Sequence, residues 1–77
     1  MTKELYNMFM TSAEADKAKA LLSLDLLGNK GVGIGDHSTG DFYKNAEEAL
    51  SMLVEADDRI ACLNLYFKTP YKNQING

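Results

Sequence analysis

Cysteine, histidine and proline occur once each in these 77 residues, as Cys62, His37 and Pro70, and tryptophan does not occur at all. A lone cysteine can close no internal disulfide and build no thiolate metal cage, so a reducing, intracellular setting is expected. A lone histidine argues against zinc, whose sites usually take three or four protein ligands at regular spacing. Six glycines and one proline are too few for a long linker or a collagen-like chain. No apolar run approaches the ~18 residues that a membrane span needs. The opening stretch MTKELYNMFMTSAEAD carries an acid at Glu4 and a broken apolar pattern, so it does not read as a signal peptide.

What remains is an ordinary globular composition, 45% apolar and 25% charged, at a length that allows one small domain. The net charge is -3 and its distribution is uneven. Between Asp36 and Asp58 stand seven acids and one base, Lys44, whereas Arg59 to Gly77 holds three bases and no acid. Nucleic-acid binders carry a basic stripe, because counterion release supplies most of their affinity. The acidic long helix expected here excludes that for the folded body. The short tail, with Lys68 and Lys72, could touch a phosphate, as any lysine-bearing tail could.

Two helical segments are expected around one glycine-rich break, with no alternating strand pattern. In the second segment Phe42, Ala46, Ala49, Leu53, Ala56, Ile60, Leu63 and Phe67 recur at spacings of 4-3-4-3-4-3-4. That is the stripe of a helix packed against other helices, and Leu50 and Val54 widen it toward a bundle face. Ser38 or Thr39 is the expected N-cap, with Asp41 favoured in the first turn by the helix dipole. Glu55 and Arg59, four apart, read as a pair along the helix. Pro70 disfavours helix at Thr69, so this helix is expected over about 39–68, a rod of roughly 45 Å.

The first helix is expected over about 2–27, stopped by Gly28 as a left-handed C′ residue. Thr11-Ser12-Ala13-Glu14 has the form of a capping box and leaves open a break there. One continuous helix is preferred, because Leu5, Met8 and Phe9 already lie at helical spacing. Small residues in its middle, Ala13, Ala15, Ala18 and Ala20, permit close helix approach. Its end, with Leu22 and Leu26 among the apolar positions, is too apolar for a single neighbour to cover.

The fold class expected is therefore all-α: an antiparallel helical hairpin with a glycine-rich loop over 28–38 and a tail at 70–77. The hairpin forms one domain, 1–69. Chains this short rarely gain more than ~3–5 kcal/mol from their own core. Two hairpins pairing into a four-helix bundle would cover the remaining apolar faces, so a homodimer is the leading assembly. A monomer closed by its own tail is the alternative.

The chemistry-bearing candidates are few. Gly31, Gly33 and Gly35 precede a helix, but Asp36 stands where a dinucleotide fingerprint needs its third glycine, and no Gly-Lys-Ser/Thr follows. Their simpler use is a tight reversal, with Val32 and Ile34 closing the bundle end. Asp36, His37 and Ser38, with Asp41 near, form the one candidate loop site. A small-ligand or metal role for the Gly31–Asp41 loop is the competing reading, against backbone capping by the same side chains. Cys62 lies roughly 35 Å along the helix from His37, which excludes a nucleophile–base pair within one chain. It is expected to be a small packed side chain. Glu47-Glu48 and Asp57-Asp58 point about 100° apart and read as solvated face. Tyr66, Phe67 and Tyr71 read either as bundle-end closure or as an aromatic patch for a partner. No catalytic residue, cofactor or metal ligand set is assigned, and binding rather than catalysis is expected.

The run GIGDHSTGDFYKNAEEAL at 33–50, followed by ADDRI at 56–60, resembles small proteins of tailed phages of marine cyanobacteria and related marine metagenomic sequences. The resemblance covers residues 33–60 and implies no assigned activity. It implies a phage or phage–host setting, either the host cytoplasm or the virion. A phage or host protein would then join the chain itself as a partner, with nucleic acid and membrane excluded.

Overall fold

The computed structural model describes the backbone of residues 1–34 and 39–76 and the side chains of residues 1–29 and 40–68. Two helices account for the described chain, α1 over Lys3–Ile34 and α2 over Thr39–Asn76, and there is no strand among the described residues. They pack against each other as an all-helical hairpin. The molecule is a rod of 55 × 17 × 16 Å with a radius of gyration of 16.8 Å. A compact chain of this length would have about 11.5 Å.

Thr2 starts α1 as an N-cap. Its hydroxyl accepts from Leu5 N at 3.1 Å and its carbonyl from Tyr6 N at 2.9 Å. The helix then runs through Thr11 without a break. Two of the expected boundaries are corrected. Gly28 does not stop α1, which continues six residues further to Ile34. Gly28 is exposed and shows no left-handed backbone. Glycine inside a helix costs only about 1 kcal/mol against alanine, and it ends a helix at C′ only by taking the left-handed conformation that Gly28 does not show. Nor does Pro70 stop α2, which extends to Asn76.

The seam between the helices is small and made mostly of alanine. Six side chains are buried among the described residues: Tyr6, Ala13 and Ala20 on α1, and Ala49, Ala56 and Leu63 on α2. Each set is spaced by seven residues, so one position per heptad of each helix meets the other. A methyl-sized side chain at four of the six places lets the backbones approach closely, but it buries little apolar area. The eight stripe residues of α2 all lie along this seam or its flank. Ala49, Ala56 and Leu63 are buried, and Phe42, Ala46, Leu53, Ile60 and Phe67 are half-buried.

Three polar contacts cross the seam and set its antiparallel register. Tyr6 Oη donates to Asn64 Oδ1 at 3.5 Å. Lys17 Nζ lies 3.1 Å from Asp57 Oδ1, and Arg59 Nη2 lies 2.6 Å from Asp16 Oδ2. Arg59 is thus committed across the interface, where the sequence alone suggested Glu55 along its own helix.

Candidate functional site

With so small a seam, most large apolar side chains have nowhere to go. Leu5, Met8, Phe9, Leu21, Leu22, Leu26, Tyr43, Leu50, Met52, Val54, Leu65 and Tyr66 are all exposed, as is Met1. Among the described residues no large side chain is fully buried. This exposed apolar surface is the functional candidate that the geometry offers, and it falls into two flanks of the hairpin.

The first flank carries the residues three positions after each seam residue. Here Phe9, Met52 and Tyr66 lie exposed among Asp16, Ser23 and Arg59, with Asn45 one turn before Ala49 on the same side. The Asp16–Arg59 bridge divides this flank into two open grooves. One, of about 420 Å³, is lined by Ser23, Leu26, Asn45, Glu48 and Met52 with the seam behind them. The other, of about 230 Å³, lies between Met1, Phe9, Cys62 and Leu63 beside Arg59. Cys62 is exposed rather than packed, a correction to its expected place in the interior. Arg59 covers its own Nε so that it meets neither solvent nor acceptor, while Nη2 holds Asp16. That hydrogen bond and the nearby positive charges of Arg59 and Lys19 hold the Asp16 carboxyl below the usual carboxylate range, against a smaller opposing effect of desolvation.

The second flank carries the residues four positions after each seam residue. These are Met10, Lys17 and Leu24 on α1, and Leu53, Ile60 and Phe67 on α2, with Ala46 one turn before Ala49 on the same side. All seven are half-buried, and Lys17 is the single polar member. Leu21, Tyr43 and Leu50 stand exposed at the outer edge of the same flank. The Lys17–Asp57 pair lies at its centre, with side chains 43% and 54% exposed, and Asn7, Glu14 and Asn64 share its outer edge.

Leu22 and Leu26, expected at an interface or core, are 59% and 46% exposed, so they take no part in the seam within one hairpin. The aromatic neighbours pack edge to face or tilted, Phe42 on Tyr43 at 5.5 Å and Tyr66 on Phe67 at 6.3 Å between ring centroids. Tyr66 itself is largely exposed. Asp36, His37 and Ser38, the candidate loop site, lie outside the described residues, as do the side chains of Val32 and Ile34. Among the described residues no three His, Cys, Asp or Glu side chains gather in a metal-sized group. Among the same residues no helix is long and apolar enough to cross a membrane.

The alanine seam was only partly anticipated. The signal for it was present as Tyr6, Ala13, Ala20 and Leu27 at intervals of seven, with Met10, Lys17 and Leu24 four positions after the first three. It was masked because leucines and methionines occur around most of the circumference of α1. No known protein family, curated protein or solved structure matches this chain.

Proposed function

We propose that this chain is a non-enzymatic interaction or structural accessory protein that works as a helical homo-oligomer, two hairpins pairing into a four-helix bundle. One observation carries the reading: four of the six buried side chains are alanine, while thirteen large apolar side chains are exposed. An isolated hairpin of this kind gains little from its own seam, since stabilisation follows the apolar area removed from water. Association adds that area on the faces that the seam leaves open. The resemblance carried by residues 33–60 supports a phage setting, in the virion or in the infected host, with a phage or host protein as a further partner.

The test is the molar mass in solution by light scattering behind size exclusion, at two concentrations tenfold apart. A mass near twice 8.5 kDa, stable to that dilution, is expected. A single species of 8.5 kDa at both concentrations would overturn self-association.

A further inference from the structure

We propose that a second copy of this chain docks on the flank formed by Met10, Leu24, Leu53, Ile60 and Phe67, about a two-fold axis passing near Lys17 and Asp57. The inference rests on the self-association reading and assigns it a face, a symmetry and a charged centre. Three observations support it.

The first is the composition of the two flanks. Four positions after each seam residue, only Lys17 is polar. Three positions after, Asp16, Ser23 and Arg59 are polar, beside Phe9, Met52 and Tyr66. A core extended by a partner will grow on the flank where large apolar side chains are already shielded on one side and open on the other.

The second is area. A folded monomer of this mass exposes about 4,700 Å². The hairpin exposes 5657 Å². The surplus, roughly 1,000 Å², is close to the ~800 Å² that one partner contributes to a standard interface.

The third is the arrangement of charge. Lys17 is near the middle of α1 and Asp57 near the middle of α2. Apolar residues lie to both sides of them, Met10, Ile60 and Phe67 toward one end and Leu24, Ala46 and Leu50 toward the other. A two-fold axis parallel to the helices sets α1 of each copy against α2 of the other, so each Lys17 meets the partner's Asp57. Each apolar half then meets the same half of the partner. The surface is complementary to itself in charge, which commits the occupant to a second copy. A central polar layer of this kind also sets register, since any slip sets a lysine against apolar side chains.

The experiment uses the full chain and the same light-scattering measurement, with helicity checked by circular dichroism. Leu50→Lys and Leu21→Lys change exposed residues at the edge of the proposed flank, and Met52→Lys changes an exposed residue of the other flank. The Leu50 and Leu21 variants are expected to stay helical and fall to monomer mass, and Met52→Lys to remain a dimer. A dimeric Leu50→Lys beside a monomeric Met52→Lys would overturn the assigned face while leaving self-association standing. A wild-type chain that is monomeric throughout would overturn both. Should the leucine variants lose helicity, the charged centre decides. Lys17→Asp and Asp57→Lys would each weaken self-association at least tenfold, and an equimolar mixture of the two would recover dimer mass. Failure of the mixture to recover it would overturn the two-fold arrangement.

Discussion

Arg59 Nη2 on α2 reaches Asp16 Oδ2 on α1 at 2.6 Å, on the flank opposite the one where Lys17 meets Asp57. The two bridges straddle the same stretch of the alanine seam, one on each side of Ala13 and Ala56. Opposite charges placed this way oppose a slide of one helix along the other, which a seam of methyl groups resists only weakly.

The first prediction concerns acid. Asp16 is held below the usual carboxylate value of 3.8, first by its hydrogen bond from Arg59 and then by nearby positive charge. A carboxyl whose folded value is depressed stabilises the fold above its unfolded value, and that contribution is lost as the pH falls through the folded value. Urea midpoints measured from pH 6 down to pH 2 should therefore drop below about pH 4. In Asp16→Asn the fall should be shallower and the midpoint at pH 6 slightly lower. Salt should narrow the difference between the two proteins, because the pair is partly exposed. An identical acid profile in Asp16→Asn would show that the bridge contributes nothing in solution.

The second prediction concerns the seam. Ala13 and Ala56 have no exposed surface and belong to the seam between the helices. Ala56→Leu inserts three carbons into that contact and should cost about 1–3 kcal/mol by forcing the backbones apart. Ala18→Leu, on the exposed side of α1, should change stability by no more than about 0.5 kcal/mol. The comparison is made from urea midpoints at one fixed protein concentration, since association shifts apparent stability. Equal effects at the two positions would mean that alanine is not required for helix approach.

A third prediction concerns the half-buried flank. Leu53→Asp or Ile60→Asp removes an aliphatic side chain and leaves a carboxylate against apolar neighbours, a loss of at least ~2 kcal/mol. Against the ~3–5 kcal/mol that a core of this size supplies, that loss should lower the urea midpoint by about half or more. An unchanged midpoint in Ile60→Asp would show that the stripe contributes no core.

These residues also show how far the sequence could be read. The α2 stripe was legible because its polar residues stay off it, so eight apolar positions stood out at intervals of four and three. The α1 stripe was not, because Leu21, Leu22 and Leu26 lie among or opposite the seam positions and blur the period. The partner of Arg59 was hidden for a different reason. Local spacing offers Glu55, whereas the choice of Asp16 depends on the register of two helices distant in sequence. Gly28 and Pro70 were read as local stop signals, and the helices run on through both. For Asp36, His37 and Ser38 the sequence reading stands alone.

Gly28 supplies the sharpest test of that last contrast. If it ended α1 in a left-handed conformation, as its position suggested, alanine there would be strained and destabilising. In the structure it lies within the helix, exposed, with nothing within 4 Å of the place a Cβ would occupy. Alanine then costs no contact and removes backbone freedom from the unfolded chain, so Gly28→Ala should stabilise by about 0.5–1 kcal/mol. Gly40→Ala, in the first turn of α2 and equally unobstructed, should act in the same direction with smaller effect. The measurement is the urea midpoint of each variant together with helical ellipticity at 222 nm. A rise in both for Gly28→Ala is the signature of a helix that runs through this position. A fall of 1 kcal/mol or more would return the end of α1 to Leu27 and shorten the surface available to α2 by nearly two turns.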